Sequence, residues 1–189
     1  RVRDGGYSAE FVSSLLDYMN PWSTVARKAA LERHGGFFDA WRCLYGEDNY
    51  LLLLLIMNET VAVTREQLVV FHSEATDLSG KLDRPFPVEP YLDDTTRFRE
   101  KCPPETHDLL NKVFAGRATS AAINHAVYGQ GKVAHDLLDR FCGRYRPAGY
   151  WKARVFATTA WMFPRARALL RGLRRLVGTN HAKTRKTFA

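Results

Sequence analysis

Hydrophobic residues recur at helical spacing along the first 76 residues of this chain. After Ser8, a residue type that caps helices, Phe11, Leu15, Tyr18 and Met19 share one face of a predicted helix. Further helices are predicted over residues 24–33, 37–45, 49–57 and 64–75. Gly35-Gly36, Asn49 and the Thr64/Gln67 capping box are the expected boundary signals. We therefore predict that residues 1–76 form N-terminal helical hairpins.

Residues 77–93 have no helical period and contain Gly80, Pro85, Pro87 and Pro90. Such composition is typical of a long connector on the surface or of a boundary between two halves. Recognition of the prolines by a partner is the functional alternative. We expect this segment to be a Pro-rich connector between the hairpins of residues 1–76 and those of residues 94–177.

Helical spacing resumes after the connector. Helices are predicted over residues 94–101, 103–114, 119–128, 132–142, 150–162 and 164–177. Val133, Leu137 and Phe141 lie at i, i+4 and i+8 in one of them, and turns are expected at 129–131 and 146–149. Residues 61–63 and 154–158 are the only strand candidates. The predicted class is all-α, with about 9–11 short helices in stacked antiparallel hairpins and a basic tail at residues 178–189.

Two consecutive predicted hairpins correspond at a period of 32 residues. Ala134, Leu137 and Leu138 match Ala166, Leu169 and Leu170, and Ala121 matches Ala153. Periods in the low thirties are typical of arrays of stacked helical hairpins, although any helical chain produces some coincidences of this kind.

The segment from Gly129 to Pro147 resembles a degenerate pentatricopeptide repeat. That family has a glycine at the hairpin turn, an alanine five residues later, an apolar pair, and a proline before the next unit. Gly129, Ala134, Leu137, Leu138 and Pro147 follow this order. Trp161 stands where the next turn glycine would be. The resemblance implies a right-handed hairpin array of the pentatricopeptide or tetratricopeptide type, and a mitochondrial location on the matrix side.

Many pentatricopeptide proteins bind single-stranded RNA, one base per repeat. Thr119 suits the first base-selecting position, whereas Ala148 and Trp151 replace polar residues at the others. Protein docking is therefore favoured. Among proteins of this family and size, the chain is similar to the additional subunits docked on the F1 head of euglenozoan ATP synthases. This resemblance implies a non-catalytic accessory subunit that contacts the α subunit. A mitochondrial ribosomal subunit and an organellar RNA-binding protein are the alternatives.

The charge of the chain lies at its C-terminal end. The 189 residues carry 28 Lys and Arg against 20 Asp and Glu, a net charge of +8, and residues 165–189 contain eight bases and no acid. A uniformly basic, histone-like protein is thereby excluded. The expected partner-binding residues form one face of a basic amphipathic helix and the tail: Arg167, Arg171, Arg174, Arg175, Lys183, Arg185 and Lys186. Such a face is solvated, binds RNA phosphates, or docks on an acidic protein or membrane surface.

No motif predicts catalysis, a cofactor or a metal site. The spacing of Gly129, Gly131 and Ala134 formally matches a dinucleotide-binding loop, but a predicted helix precedes it and no acid follows at the required distance. The histidines lack zinc-ligand spacing, and three cysteines without a C-x-x-C motif argue against a disulfide framework. The longest apolar run, Leu51 to Met57, is too short to span a membrane. We expect a non-catalytic protein without a transmembrane segment.

Overall fold

The computed structural model of the chain describes residues 7–19, 21, 23–39, 45–64, 66 and 84–166. These residues contain α-helices and no strand, which confirms the all-α class. The helices are α1 (Ala9–Tyr18), α2 (Lys28–Arg33), α3 (Glu47–Asn58), α4 (Pro90–Asp93), α5 (Thr95–Glu100), α6 (His107–Val127), α7 (Gly131–Phe141) and α8 (Tyr150–Thr158). A 3-10 turn, Pro104–Thr106, leads into α6, and residues 162–166 are helical. Of the two strand candidates, residues 61–63 are irregular and 154–158 belong to α8.

Several predicted helices fall wholly or partly outside the described residues. These are the helix after Thr64, most of 37–45, and the part of 164–177 beyond residue 166. Residues 37–39 are described and are not helical, so the helix predicted from Phe37 does not begin there. The helix predicted over 24–33 is shorter than expected, because α2 begins only at Lys28.

Helix α1 begins as predicted but buries a different face. Ser8 Oγ accepts a hydrogen bond from the Phe11 backbone N–H at 3.1 Å, which satisfies one of the free donors of the first turn. The buried side includes Val12, Leu15 and Leu16, whereas Tyr18 is 79% exposed. The helix is therefore rotated towards Val12 and Leu16, the side that meets α3 and α6.

Helix α3 lies at the centre of the first hydrophobic cluster. Every side chain from Tyr50 to Met57 is buried, so the helix is surrounded by protein on all sides. Its N-cap is Gly46, in the left-handed conformation with φ 76°. The predicted cap, Asn49, lies inside the helix and instead donates its side-chain amide to Glu89 Oε1 at 2.8 Å.

The end of the predicted connector is part of this core. Residues 90–93 form α4, and Tyr91 and Leu92 are fully buried, so this stretch does not lie on the surface. The Tyr91 ring stacks on Phe114 of α6 at 5.7 Å and meets Phe98 of α5 edge to face at 5.7 Å. Because the cluster combines α1 and α3 with α4, α5 and α6, residues on both sides of the connector share one core.

Helix α6 is one continuous helix of 21 residues, whereas two helices were predicted there. The intervening residues, Ala115 to Ala118, contain no proline, and both alanines are fully buried. The first half of α6 packs in the cluster around α3, and its second half packs against α7 and α8. Tertiary contacts on both sides thus continue the helix through Gly116.

Helices α6, α7 and α8 form a second cluster rich in alanine. Ala122, Ala126, Ala134 and Ala153 are fully buried, and α8 packs against both α6 and α7. Small side chains allow the helix backbones to approach closely. In α7 the fully buried residues are Ala134 and Leu138, with Leu137 nearly so and the predicted Val133 and Phe141 at the margin.

Glycines occupy the two predicted turns of this cluster. Gly129 has φ 86° after α6, and Gly149 has φ 91° at the N-cap of α8. Both values lie in the left-handed region that glycine adopts without a steric penalty.

Among the helices in the described ranges, none has the length and apolar composition of a membrane-spanning segment.

Candidate partner-binding surface

The predicted partner-binding residues all lie outside the described residues: Arg167, Arg171, Arg174, Arg175, Lys183, Arg185 and Lys186. The basic region to which they belong begins earlier than predicted. Residues 140–189 contain 13 of the 28 Lys and Arg residues and none of the 20 Asp and Glu residues, because the last acid is Asp139. The first 139 residues are therefore acidic overall. The position of Asp139, the last acid in the sequence, is the signal that marks this boundary. The basic region therefore includes the end of α7 and all of α8.

The described part of this region carries six cationic side chains. They are Arg140, Arg144, Arg146, Lys152, Arg154 and Arg165. Arg154 pairs with Asp139 and donates Nε–H to the Tyr150 hydroxyl at 2.9 Å. The bond to Tyr150 and that to Asp139 raise the pKa of Arg154. The other five form no ion pair with a carboxylate of the described residues.

These cations are interleaved with aromatic rings. The Arg146 guanidinium lies 5.5 Å from the ring centre of Tyr150 and 5.6 Å from that of Trp151. After the helix, Arg165 lies 5.1 Å from the Trp161 ring. Such distances allow cation–π attraction. The contacts hold the rings and the charges next to one another on the protein surface.

Large apolar side chains are exposed along the same helix. Trp151 and Val155 lie four residues apart on one face of α8 and are 68% and 59% exposed. Trp161 and Met162 follow the helix and are also exposed. Grouped exposed apolar residues commonly mark sites where another molecule binds. We define the basic–aromatic surface as Arg146, Trp151, Lys152, Val155, Trp161 and Arg165.

The residues considered for cofactor or metal chemistry have structural contacts. Helix α6, rather than a buried strand, precedes the Gly129–Ala134 segment. A Cβ on Gly131 would lie 2.7 Å from the Ala157 carbonyl oxygen, so this glycine permits the close approach of α7 and α8. Burial raises the pKa of the Cys102 thiol to about 12 and also raises that of Cys142. No cluster of three or more His, Cys, Asp or Glu side chains suited to a metal ion occurs in the described ranges.

Two histidines near the second cluster also make local contacts. His125 Nδ1 lies 2.6 Å from Gln130 Oε1, across the turn between α6 and α7. His135 Nδ1 lies 3.2 Å from Arg154 Nη1, between α7 and α8. Each contact joins neighbouring elements of the helical cluster.

Comparisons of the chain with protein-family models, curated proteins and solved structures give no match.

Proposed function

We propose that the chain is a non-catalytic accessory subunit of a large mitochondrial assembly, on the matrix side, which binds neighbouring protein subunits. The observation that carries this proposal is the basic–aromatic surface, where Trp151 and Val155 are exposed within a stretch, residues 140–189, that contains cations and no acid. Tryptophan, tyrosine and arginine are the residue types that contribute most to binding at protein interfaces.

The packing of α6, α7 and α8 supports a stacked hairpin array of the pentatricopeptide type. Helices α6 and α7 are joined by a short turn, and α8 packs against both of them, as the first helix of a following hairpin does. On this proposal the array is right-handed and presents the basic–aromatic surface at its C-terminal end.

The assembly that we propose is the F1 part of ATP synthase, with the α subunit as the direct neighbour. This choice is supported by the similarity of the Gly129–Pro147 segment to a degenerate pentatricopeptide unit. A mitochondrial ribosomal subunit is the alternative assembly.

Isolation of the tagged chain from mitochondria tests the proposal. Native complexes are separated with and without nuclease treatment, and cross-linking followed by mass spectrometry identifies the neighbours. We expect the chain to migrate with F1 subunits in both samples and to cross-link to the α subunit. Migration with ribosomal proteins would favour the alternative assembly, and release of the free chain by nuclease would contradict a protein-docking role.

Single-stranded RNA binding is a second candidate function, favoured by the alternation of cations and aromatic rings from Arg146 to Arg165. It is tested by titrating a 20-nucleotide RNA at low and at physiological salt. RNA binding through phosphates predicts a steep loss of affinity with salt. Affinity that is weak at both salt concentrations would contradict this second function.

A further inference from the structure

The position of Trp151 in α8 corresponds, at the 32-residue period, to a position that is buried in the preceding hairpin. In α6, Thr119 is buried with its Oγ1 3.4 Å from Cys142 Sγ at the end of α7, and Ala122 is fully buried in the same cluster. The 32-residue period places Trp151 and Arg154 at the positions of Thr119 and Ala122. An indole and a guanidinium thus replace the small side chains that let α7 approach α6.

The side chains at these two positions of α8 are bulky, unlike their counterparts in α6. Small side chains allow two helix backbones to approach closely, whereas bulky ones hold the helices further apart. Arg154 is moreover held by Tyr150 and Asp139. Trp151 and Val155 form an apolar pair on α8, and most of the surface of both side chains is exposed.

We propose that the basic–aromatic surface binds an acidic amphipathic helix of a neighbouring protein subunit. This inference rests on the proposed docking function and names the chemistry of the segment that is bound. Apolar side chains of the partner helix pack on Trp151 and Val155, and its carboxylates pair with the cations around them. An i, i+4 apolar pair on α8 is suited to insertion between the side-chain rows of a second helix.

Charge complementarity identifies the partner as acidic. Residues 140–189 hold 13 cations and no acid, and the three cations of the basic–aromatic surface, Arg146, Lys152 and Arg165, form no ion pair with a carboxylate of the described residues. A partner of the same sign would be repelled, whereas an acidic segment is attracted before contact and oriented by these cations.

The apolar residues favour a protein partner over RNA. Val155 and Met162 are aliphatic, so they offer no ring on which a base stacks. The Trp151 ring already packs edge to face with the Tyr150 ring, with 5.0 Å between the ring centres, and also lies next to Arg146. Packing against the side chains of a protein partner buries the exposed surface of Val155 and Met162, whereas base stacking leaves that surface exposed to solvent.

Site-specific photo-cross-linking in the full chain tests the inference within the native assembly. A benzoylphenylalanine replaces Val155, and a control chain carries it in place of Val25, which is fully exposed before α2. We expect position 155, and not position 25, to cross-link to an acidic segment of a neighbouring subunit with apolar residues at helical spacing. Cross-links from position 155 to RNA, to residues 167–189 of the same chain, or to a neutral or basic segment would overturn the inference.

Two exposed-residue variants measure the apolar and the charged contributions separately. Trp151→Ala removes the main apolar contact, and Lys152→Glu reverses one charge of the surface. We expect each to release at least about fivefold more chain from the assembly than the wild type does during a salt wash, because truncated anchors and reversed charges weaken binding. Val25→Ala serves as the matched control, and unchanged melting temperatures show that the variants fold.

The two proposals fail in different ways. If the wild-type chain migrates with no protein assembly, the docking function itself is wrong. If the wild type joins an assembly but Trp151→Ala and Lys152→Glu remain bound like the Val25→Ala control, docking stands and the inference about the basic–aromatic surface is overturned.

Discussion

Arg117 in α6 pairs with Glu89, the residue before α4, with 2.6 Å between Nη2 and Oε1. The same guanidinium binds Asp17 of α1, and Glu89 also accepts a hydrogen bond from Asn49 of α3. Burial opposes the charged form of Arg117, but hydrogen bonds to Glu89 and Asp17 and the charge of Glu89 raise its pKa. One buried ion pair thus connects α1, α3, α4 and α6.

The variant Arg117→Met is expected to be strongly destabilised, because it leaves the buried Glu89 carboxylate without a cation. Removing one partner of a buried pair typically costs about 3–5 kcal/mol. Urea denaturation of the wild type and the variant measures the difference in free energy of unfolding. The double variant Arg117→Met/Glu89→Gln should recover part of the loss. A loss below about 1 kcal/mol in the single variant would show that the pair is not needed.

Gly131→Ala is expected to destabilise the contact between α7 and α8. An added Cβ would lie 2.7 Å from the Ala157 carbonyl oxygen and 3.1 Å from Ala160 Cβ, so α8 would have to shift. Overpacking of this kind costs about 1–3 kcal/mol. Gly143→Ala is the matched control, since a Cβ there meets no atom within 4 Å. Equal melting temperatures for the two variants would contradict the close approach of the helices.

Leu138→Ala is expected to cost about 2–5 kcal/mol, because Leu138 is fully buried in the cluster of α6, α7 and α8. The control is Val155→Ala on the exposed face of α8, for which we expect a change of no more than about 0.5 kcal/mol. Chemical denaturation measures both. A small effect at Leu138 would mean that the second cluster is not packed as described.

Glu59→Gln is expected to reduce stability at neutral pH and to lose this effect in acid. His34 Nε2 lies 3.0 Å from Glu59 Oε1, and Arg33 also binds this oxygen. The hydrogen bonds from His34 and Arg33 lower the pKa of Glu59 below its ordinary value of 4.5. The contribution of this ion pair to stability is therefore complete above pH 4.5 and disappears as the pH falls through the lowered pKa of Glu59.

We expect the free energies of unfolding of the wild type and Glu59→Gln to differ by about 0.5–1 kcal/mol at pH 7, because the pair of Arg33 and Glu59 is partly exposed and screened by water. Denaturation of the wild type and Glu59→Gln at pH 7 and pH 3 provides the comparison. A difference that grows in acid would contradict the assignment.

Local signals in the sequence predicted much of the helix geometry. Ser8 caps α1 by accepting the backbone N–H of Phe11, three residues later. Gly35 and Gly36 end α2 with positive φ values, as the glycine pair indicated. Each of these features depends on the backbone of a few consecutive residues, which is why a short stretch of sequence is sufficient to predict it.

Features that depend on distant residues were predicted poorly. The continuity of α6, the burial of α4 and the face of α1 that is buried all depend on contacts between segments far apart in the chain. The basic–aromatic surface was also missed, since the exposure of Trp151 and Val155 depends on which side of α8 meets α6 and α7.

The sequence alone determined the all-α class, the main turns and the concentration of positive charge at the C-terminal end, because these follow from local backbone preferences and from composition. The tertiary structure decided which helix faces are buried, that the two sides of the connector share one core, and that Glu89 is paired inside it. Burial is a property of segments brought together from across the chain, and hydrophobic spacing within one helix does not specify the partner against which it packs.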